Sequence, residues 1–176
     1  MIFVTVGAQM PFDRLIRAVD VWGELRPNHK IFAQIGPSSY RPKNMEFAQF
    51  VDPPEFRKRV AAAKVVVAHA GMGSIITALE FGKPIIVMPR RGELRETRND
   101  HQIATAKHFS EEGRVIAAFD EKELSENLDR VDVLTESIEK IRPQASRLLL
   151  STIRAFIEEE PYSLHEMSHS AEYRGI

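Results

Sequence analysis

The sequence of 176 residues contains no cysteine, which excludes a disulfide framework, a thiolate nucleophile and a cysteine-ligated metal site. Its net charge is only −1, so it lacks the basic surplus typical of nucleic-acid binders. No apolar run approaches the roughly 20 residues that cross a bilayer, and the N-terminus lacks the features of a signal peptide. These absences predict a cytoplasmic protein with no nucleic-acid partner.

Motifs for dinucleotides, nucleotide triphosphates and metals are missing as well. No G-x-G-x-x-G follows the first predicted strand, and no Gly-Lys-Ser/Thr motif follows the glycine-rich turn at residues 71–73. There is no Asp-x-Asp pair of the kind that holds Mg²⁺ on a nucleotide sugar, and His165 and His169 lack a third ligand. We therefore expect no cofactor and a metal-independent site, in which N–H groups and cations meet the charge of an anion.

Short β-branched runs alternate with segments of helical periodicity, a pattern typical of successive βαβ units. It predicts an α/β, Rossmann-like fold with a doubly wound, mostly parallel sheet. Predicted strands cover residues 2–6, 30–35, 46–50, 64–68, 85–88 and 115–118. Predicted helices cover residues 12–25, 53–63, 74–81, 100–112, 121–130 and 135–160.

The length fits one domain, which we place at residues 1–160. Its last helix, residues 135–160, has an apolar stripe suited to packing on its own domain or on a partner. Residues 161–176 show little periodicity, and we expect them to form a flexible tail.

The turn after the fourth predicted strand, residues 69–74 (HAGMGS), is the most informative segment. A strand that enters a glycine-rich turn and then a helix directs backbone N–H groups and the positive end of the helix dipole at one point. Such a point binds an anion such as a diphosphate. The alternative is that Gly71 and Gly73 only form a tight turn.

Several short motifs together resemble the donor-binding half of the family 28 glycosyltransferases. They are HAGMGS at residues 69–74, EFGKP at 80–84, MP at 88–89 and DHQ at 100–102. The opening TVG at 5–7 with FDRL at 12–15 is similar to the small catalytic subunit of the two-chain enzymes in that family. The resemblance covers about residues 1–158. It implies the C-terminal half of a GT-B fold and a UDP-sugar as donor substrate.

The resemblance also implies roles for individual residues. His69 and Ser74 would lie against the diphosphate, and Gly7, like Gly71 and Gly73, would let the backbone approach it. Gln102, together with Asp100, would bind sugar hydroxyls, for which a planar amide is suited. The alternatives are a core histidine at 69, a strand-end bend at Gly7 and plain helix N-caps at Ser74 and Asp100.

The chain departs from the family pattern where relatives place a glutamate that binds the ribose hydroxyls, because Thr77 stands there. Either Glu80, one turn further along the same helix face, takes over the contact, or Thr77 provides a weaker one. Glu80 could also be an ordinary solvated helix residue.

An arginine-rich loop follows the fifth predicted strand, on the sheet edge where open α/β sheets bind ligands. Its Arg90 and Arg91 could neutralise the departing UDP or pair with the carboxylate of a uronic-acid donor. The alternative is a solvated loop in which Glu93 and Glu96 balance the arginines.

The resemblance implies the catalytic, donor-binding subunit of a heteromeric glycosyltransferase, with the acceptor groove and general base on another chain. That partner would be membrane-anchored and would present a polyprenyl-diphosphate-linked sugar at the cytoplasmic face, docked on the 135–160 helix. Glucuronate, glucose and N-acetylglucosamine all fit as the transferred sugar, and the arginines of the loop after the fifth strand slightly favour glucuronate. The competing hypotheses are a non-catalytic subunit that senses UDP-sugar and another nucleotide-dependent Rossmann enzyme.

Overall fold

The computed structural model describes residues 1–133, 141 and 147–158. In this part of the chain the strands are Ile2–Thr5 (β1), Ile31–Gln34 (β2), Glu46–Ala48 (β3), Val65–His69 (β4), Ile85–Met88 (β5) and Ile116–Ala117 (β6). The helices are Asp13–Glu24 (α1), Pro53–Ala62 (α2), Met72–Glu80 (α3), His101–Glu111 (α4), Glu121–Asp129 (α5) and Arg147–Glu158 (α6). Up to α5, every predicted element is confirmed, with ends that agree to about two residues.

The six strands form one sheet in the order β3-β2-β1-β4-β5-β6. Every pairing between neighbouring strands is parallel, so the predicted fold class is confirmed. The chain winds outward from β1 to β3 and then returns to continue from β4, so the strand order reverses between β1 and β4. In open parallel sheets, ligands bind in the crevice outside the carboxyl ends of the strands at this reversal.

Apolar side chains alternate along the strands and fill a core on each face of the sheet. On one face Ile2 and Val4 pack with α1 and α5, and on the other Phe3 and Val66 pack with α2, α3 and α4. β1, β2 and β5 are buried along their full length, and their residues are apolar except Thr5 and Gln34 at the strand ends. Each such buried side chain contributes about 1.5–3 kcal/mol of hydrophobic stabilisation, which fixes the strand ends that carry the site.

The chain divides into two compact units, Met1–Ile141 and Arg142–Ile176. The sheet belongs to the first unit, and α6 is the described part of the second. Within α6 the apolar side chains of Leu149, Ile153 and Phe156 are exposed. The remainder of the predicted 135–160 helix, apart from Ile141, and the predicted tail lie outside the described residues, so the domain boundary at 160 stays a prediction. Among the described helices, none has the length and apolarity needed to span a membrane.

Candidate functional site

Two adjoining cavities lie at the carboxyl ends of β1 and β4. The first has a volume of about 410 Å³, and its wall includes the residues after β1, the turn after β4 and the start of α4. The second, of about 370 Å³, extends toward β2 and the outer side of α3. The two share Gly7, Ala8, His69 and Gly73. The fold therefore brings the predicted glycines and His69 together at the point where the strand order reverses.

The N-terminus of α3 faces these cavities without a side-chain cap. Gly71 is the N-cap residue, and its carbonyl accepts the N–H groups of Ser74 (3.1 Å) and Ile75 (3.2 Å). Met72 and Gly73 precede them in the first turn, where backbone N–H groups have no intrahelical partner. Ser74 is thus inside the helix and is not its N-cap, so that alternative is wrong. The start of α3 offers N–H donors and the positive helix dipole to an anion.

The His69 imidazole lies between two glycines that leave room for it. An ideal Cβ at Gly71 would stand 2.2 Å from His69 Nε2, and one at Gly7 would stand 2.9 Å from Cε1. Gly7 also has φ +75°, which favours glycine, and its N–H donates to Thr5 Oγ1 at 3.2 Å. In contrast, a Cβ at Gly73 would meet no protein atom within 4 Å. Gly7 and Gly71 therefore seat the histidine, whereas Gly73 borders open space.

The electrostatics of the site keep His69 neutral. Its Nδ1 is buried without a partner of hydrogen-bonding geometry. Burial, together with the positive charge of Arg90, lowers the pKa of His69 from 6.5 to about 4, and the nearby Thr5 backbone opposes the shift. A neutral imidazole can donate one hydrogen bond to a phosphate oxygen, but it adds no charge of its own at neutral pH.

Gln102 and Asp100 have different positions at the start of α4. Gln102 is buried and lines the first cavity, and its Oε1 accepts the N–H of Arg90 at 3.2 Å. This contact fixes the amide and leaves its NH₂ group available to a ligand. Asp100 instead accepts the Gly92 N–H at 2.7 Å and makes no capping hydrogen bond to α4. Asp100 does hold the N-cap position of α4, as the alternative predicted, but its carboxylate caps no helix N–H, lines neither cavity and stabilises the loop before α4.

Thr77 and Glu80 lie in different surroundings, although both belong to α3. Thr77 lines the second cavity, and its Oγ1 donates to the Gly73 carbonyl at 2.7 Å. Glu80 lies at the far end of α3, where its carboxylate pairs with Arg57 at 2.9 Å, and it lines neither cavity. This placement argues against Glu80 as the ribose ligand and leaves Thr77 as the predicted contact.

Arg90 and Arg91 are both engaged by the protein. Arg90 is buried, lines the first cavity, and donates from both Nη atoms to four backbone carbonyls. Arg91 donates to the Phe119 carbonyl at 2.6 Å and to Glu93 at 3.2 Å. These contacts argue against either guanidinium as a free ligand for a donor carboxylate.

Sequence analysis did not find several residues of the cavity walls. They come from the loop after β1, from the first turn of α3 and from the approach to α4: Ala8, Gln9, Met10, Met72, Thr97 and His101. The loop after β1 could have been found from its place at the end of the first strand. Met72 and His101 lie within the HAGMGS and DHQ motifs, whereas Thr97 belongs to no motif and only the fold brings it to the cavity.

This combination defines a class of protein. An entirely parallel sheet whose order reverses beside a polar cavity, with an uncapped helix N-terminus on that cavity, is the architecture of a doubly wound, Rossmann-like α/β domain. Solved structures with the same fold include the glycotransferase of kitacinnamycin (TM-score 0.56, 20% identity, 77% of this chain and 35% of that one). CalG4, the calicheamicin glycosyltransferase, is also similar (TM-score 0.55, 16% identity, 77% and 34% covered).

The family follows from the sequence match. The model of the glycosyltransferase family 28 C-terminal domain matches residues 1–166, so the chain belongs to this family. Its fold is the C-terminal half of a GT-B glycosyltransferase.

Two curated relatives are the same transferase subunit from two organisms. The chain is 29% identical over 124 residues to the UDP-N-acetylglucosamine transferase subunit ALG13 of Mus musculus, and 29% over 126 residues to that of Homo sapiens. These matches cover 64% and 65% of this chain and about a tenth of each relative. An NMR solution structure of ALG13 shares the fold, with TM-score 0.56, 19% identity, and 86% of this chain and 93% of that one covered.

Proposed function

We propose that the chain is the donor-binding, catalytic subunit of a glycosyltransferase that moves a sugar from a UDP-sugar to a lipid-linked acceptor. The observation that carries the proposal is the uncapped start of α3 beside the neutral His69, at the point where the strand order reverses. A diphosphate seated there would receive backbone N–H groups, the helix dipole and an imidazole donor. Family membership supports a glycosyl donor in this cavity.

Leaving-group stabilisation is the chemistry that these residues supply. As the bond from the sugar to UDP breaks, charge builds on the diphosphate, and preorganised N–H donors stabilise it without reorganising. Gln102 and His101 line the cavity on its other side, where they would orient the sugar hydroxyls. We propose that neither a metal nor a cofactor takes part.

The partner and the acceptor belong to the same proposal. The curated relatives are named as subunits of a UDP-N-acetylglucosamine transferase, which supports a two-chain enzyme. The second chain would be membrane-anchored, would carry the general base and would present a polyprenyl-diphosphate-linked sugar at the cytoplasmic face. Glucuronate, glucose and N-acetylglucosamine stay open as donors, and the internal contacts of Arg90 and Arg91 remove the argument that favoured glucuronate.

Ligand binding by the purified chain tests the donor site. We expect UDP to raise the melting temperature in a dose-dependent way and NAD to leave it unchanged, since only a ligand of the native state stabilises it. His69→Ala should weaken UDP binding about tenfold, the loss of one hydrogen bond to a charged group. The His108→Ala variant is the control, because that side chain lies on the exposed face of α4. A chain stabilised by NAD and not by UDP would contradict the proposal.

A non-catalytic subunit that senses UDP-sugar is the second candidate. The absence of an assigned general base among the described site residues favours it. Sugar transfer by the purified pair of chains separates the two, because a sensing subunit would bind UDP without supporting transfer that depends on His69.

A further inference from the structure

The buried side chain of Arg90 joins the two loops that form the first cavity. Its Nη2 donates to the carbonyls of Val6 (2.8 Å) and Met10 (2.7 Å), at the end of β1 and in the loop after it. Its Nη1 donates to the carbonyls of Pro11 (2.6 Å) and Glu96 (3.2 Å). One guanidinium thus donates hydrogen bonds to four backbone carbonyls beside the cavity.

The same residue reaches two further parts of the site. Its backbone N–H holds Gln102 Oε1 at 3.2 Å, and its guanidinium carbon lies 4.7 Å from the centre of the Phe12 ring. The carboxylate of Glu96 pairs with Arg14 at 2.7 Å, and its negative charge also favours the charged form of Arg90. Arg90 is therefore a buried cation whose direct partners are carbonyl groups.

We propose that Arg90 is a positioning residue, which holds the loop after β1 against the loop before α4 and so fixes the shape of the candidate donor cavity. The planar guanidinium of Arg90 has two Nη atoms that can donate to four carbonyls at once. A lysine ammonium has three donors on one nitrogen and cannot bridge the two loops with the same hydrogen bonds. The inference rests on the proposed function only in taking a UDP-sugar as the occupant of the cavity.

The charge of Arg90 has a second effect in the cavity. Burial lowers the pKa of Arg90 to about 10, so the guanidinium stays charged at neutral pH. The charged or titratable side chains that line the first cavity with His69 are Arg90 and His101. Burial is the larger cause of the lowered pKa of His69, and the nearby positive charge of Arg90 adds to it by disfavouring the imidazolium form.

The experiment compares the full-length chain with Arg90→Lys, which keeps the charge, and Arg90→Met, which removes it. We expect both to shift the backbone amide NMR signals of Gly7, Ala8 and Gln9 and to weaken UDP binding about tenfold, because the loops lose their preorganised arrangement. Only Arg90→Met should also raise the pKa of the His69 ring toward its ordinary range. Arg130→Lys, at an exposed arginine that ends α5, is the matched control.

Unchanged amide signals and unchanged UDP affinity in Arg90→Lys would overturn the proposal. If neither variant folds, NMR of the wild-type chain tests the proposal instead. Slow rotation and slow solvent exchange of the Arg90 Nη protons would support the role of Arg90, and fast exchange would contradict it. These NMR measurements use no nucleotide. If the wild-type chain fails to bind UDP, the proposed function is contradicted, but the NMR measurements still test the role of Arg90.

Discussion

At the scale of single residues, the site depends on how closely the His69 ring packs on backbone. Gly71 has φ −94°, which any residue adopts, so its requirement for glycine comes from the imidazole and not from the backbone angle. Gly73, two residues on, has no such neighbour. The same residue type therefore serves two purposes within one turn, and the two can be separated by substitution.

We predict opposite effects for alanine at these two glycines. Gly71→Ala should lower the free energy of unfolding by about 1–3 kcal/mol, because the new methyl group displaces the His69 ring. Gly73→Ala should leave stability unchanged or raise it by up to about 1 kcal/mol, since alanine favours a helix. Its methyl group would project into the cavity, so UDP binding should weaken. Urea denaturation and calorimetric titration with UDP measure the two effects.

Equal destabilisation by the two variants would contradict the seating of His69 between Gly7 and Gly71. Full UDP affinity in Gly73→Ala would show that the diphosphate is not bound at the start of α3. The double variant Gly71→Ala with His69→Ala provides a control, because the added methyl group then has space.

A second prediction concerns pH and His69. The pKa is about 4 in the folded chain and 6.5 when unperturbed, so between these values the unfolded chain binds a proton that the folded chain does not. The free energy of unfolding therefore falls as pH drops from 6.5 to 4, by up to about 3 kcal/mol. His69→Gln should lack this part of the pH dependence, while other titrating groups act equally in both proteins.

Urea denaturation of both proteins at intervals between pH 4 and 7 gives the difference curve. Parallel curves for wild type and His69→Gln would show that the imidazole is not held neutral. The terminal phosphate of UDP titrates at about pH 6 in the experiments on both proteins, so a loss of UDP affinity between pH 7 and 5 that is larger in the wild type than in His69→Gln would also disagree with a neutral His69.

At the scale of elements, periodicity and turn residues were enough to predict β1 to β6 and α1 to α5. The boundary that failed was functionally important: α3 begins at Met72 and not at Ser74. Ser74 is a favoured N-cap residue, but Gly71 takes the cap position because the chain must turn directly beside His69. Local propensity could not reveal this, since the constraint comes from packing across the turn.

The part of the candidate site that belongs to recognisable motifs could be predicted from the sequence. The turn after β4 and Gln102 lie together as expected, because parallel strands place their carboxyl ends at one edge. Glu80 and Arg91 do not lie on the cavities, and both have partners from distant parts of the chain, Arg57 on α2 and the Phe119 carbonyl. Helical spacing and loop position cannot show such partners, since they depend on how elements pack.

The α6 helix gives a prediction at the same scale. Ile153 belongs to its apolar face and Ser151 to its polar face. If α6 docks on the acceptor-binding subunit, Ile153→Glu should abolish association, because burying an unpaired carboxylate is unfavourable. Ser151→Glu should leave association intact. Co-purification of the two chains measures association, and UDP binding by the isolated variants should stay at the wild-type level. Equal association of both variants would contradict docking through this face.

At the scale of the whole molecule, the proposed function gives the described residues one part of a transfer reaction. They would stabilise a departing diphosphate, whereas neither His69, whose lowered pKa of about 4 makes it a weak base, nor Gln102, which does not titrate, is suited to take the proton of an acceptor hydroxyl. Glycosyl transfer needs both functions. The isolated chain should therefore bind the donor without transferring its sugar.

We accordingly predict that the isolated chain binds UDP-sugar but transfers no sugar to a lipid-linked acceptor, and that adding the acceptor-binding subunit restores transfer. Chelation of divalent ions with EDTA should leave the rate of the pair unchanged, because N–H donors, and not a metal, are proposed to stabilise the diphosphate. Radiolabelled transfer assays with and without the second chain measure both effects. Transfer by the isolated chain would mean that its own residues supply the base, and loss of transfer with EDTA would mean that a metal ion, and not the start of α3, carries the leaving-group charge.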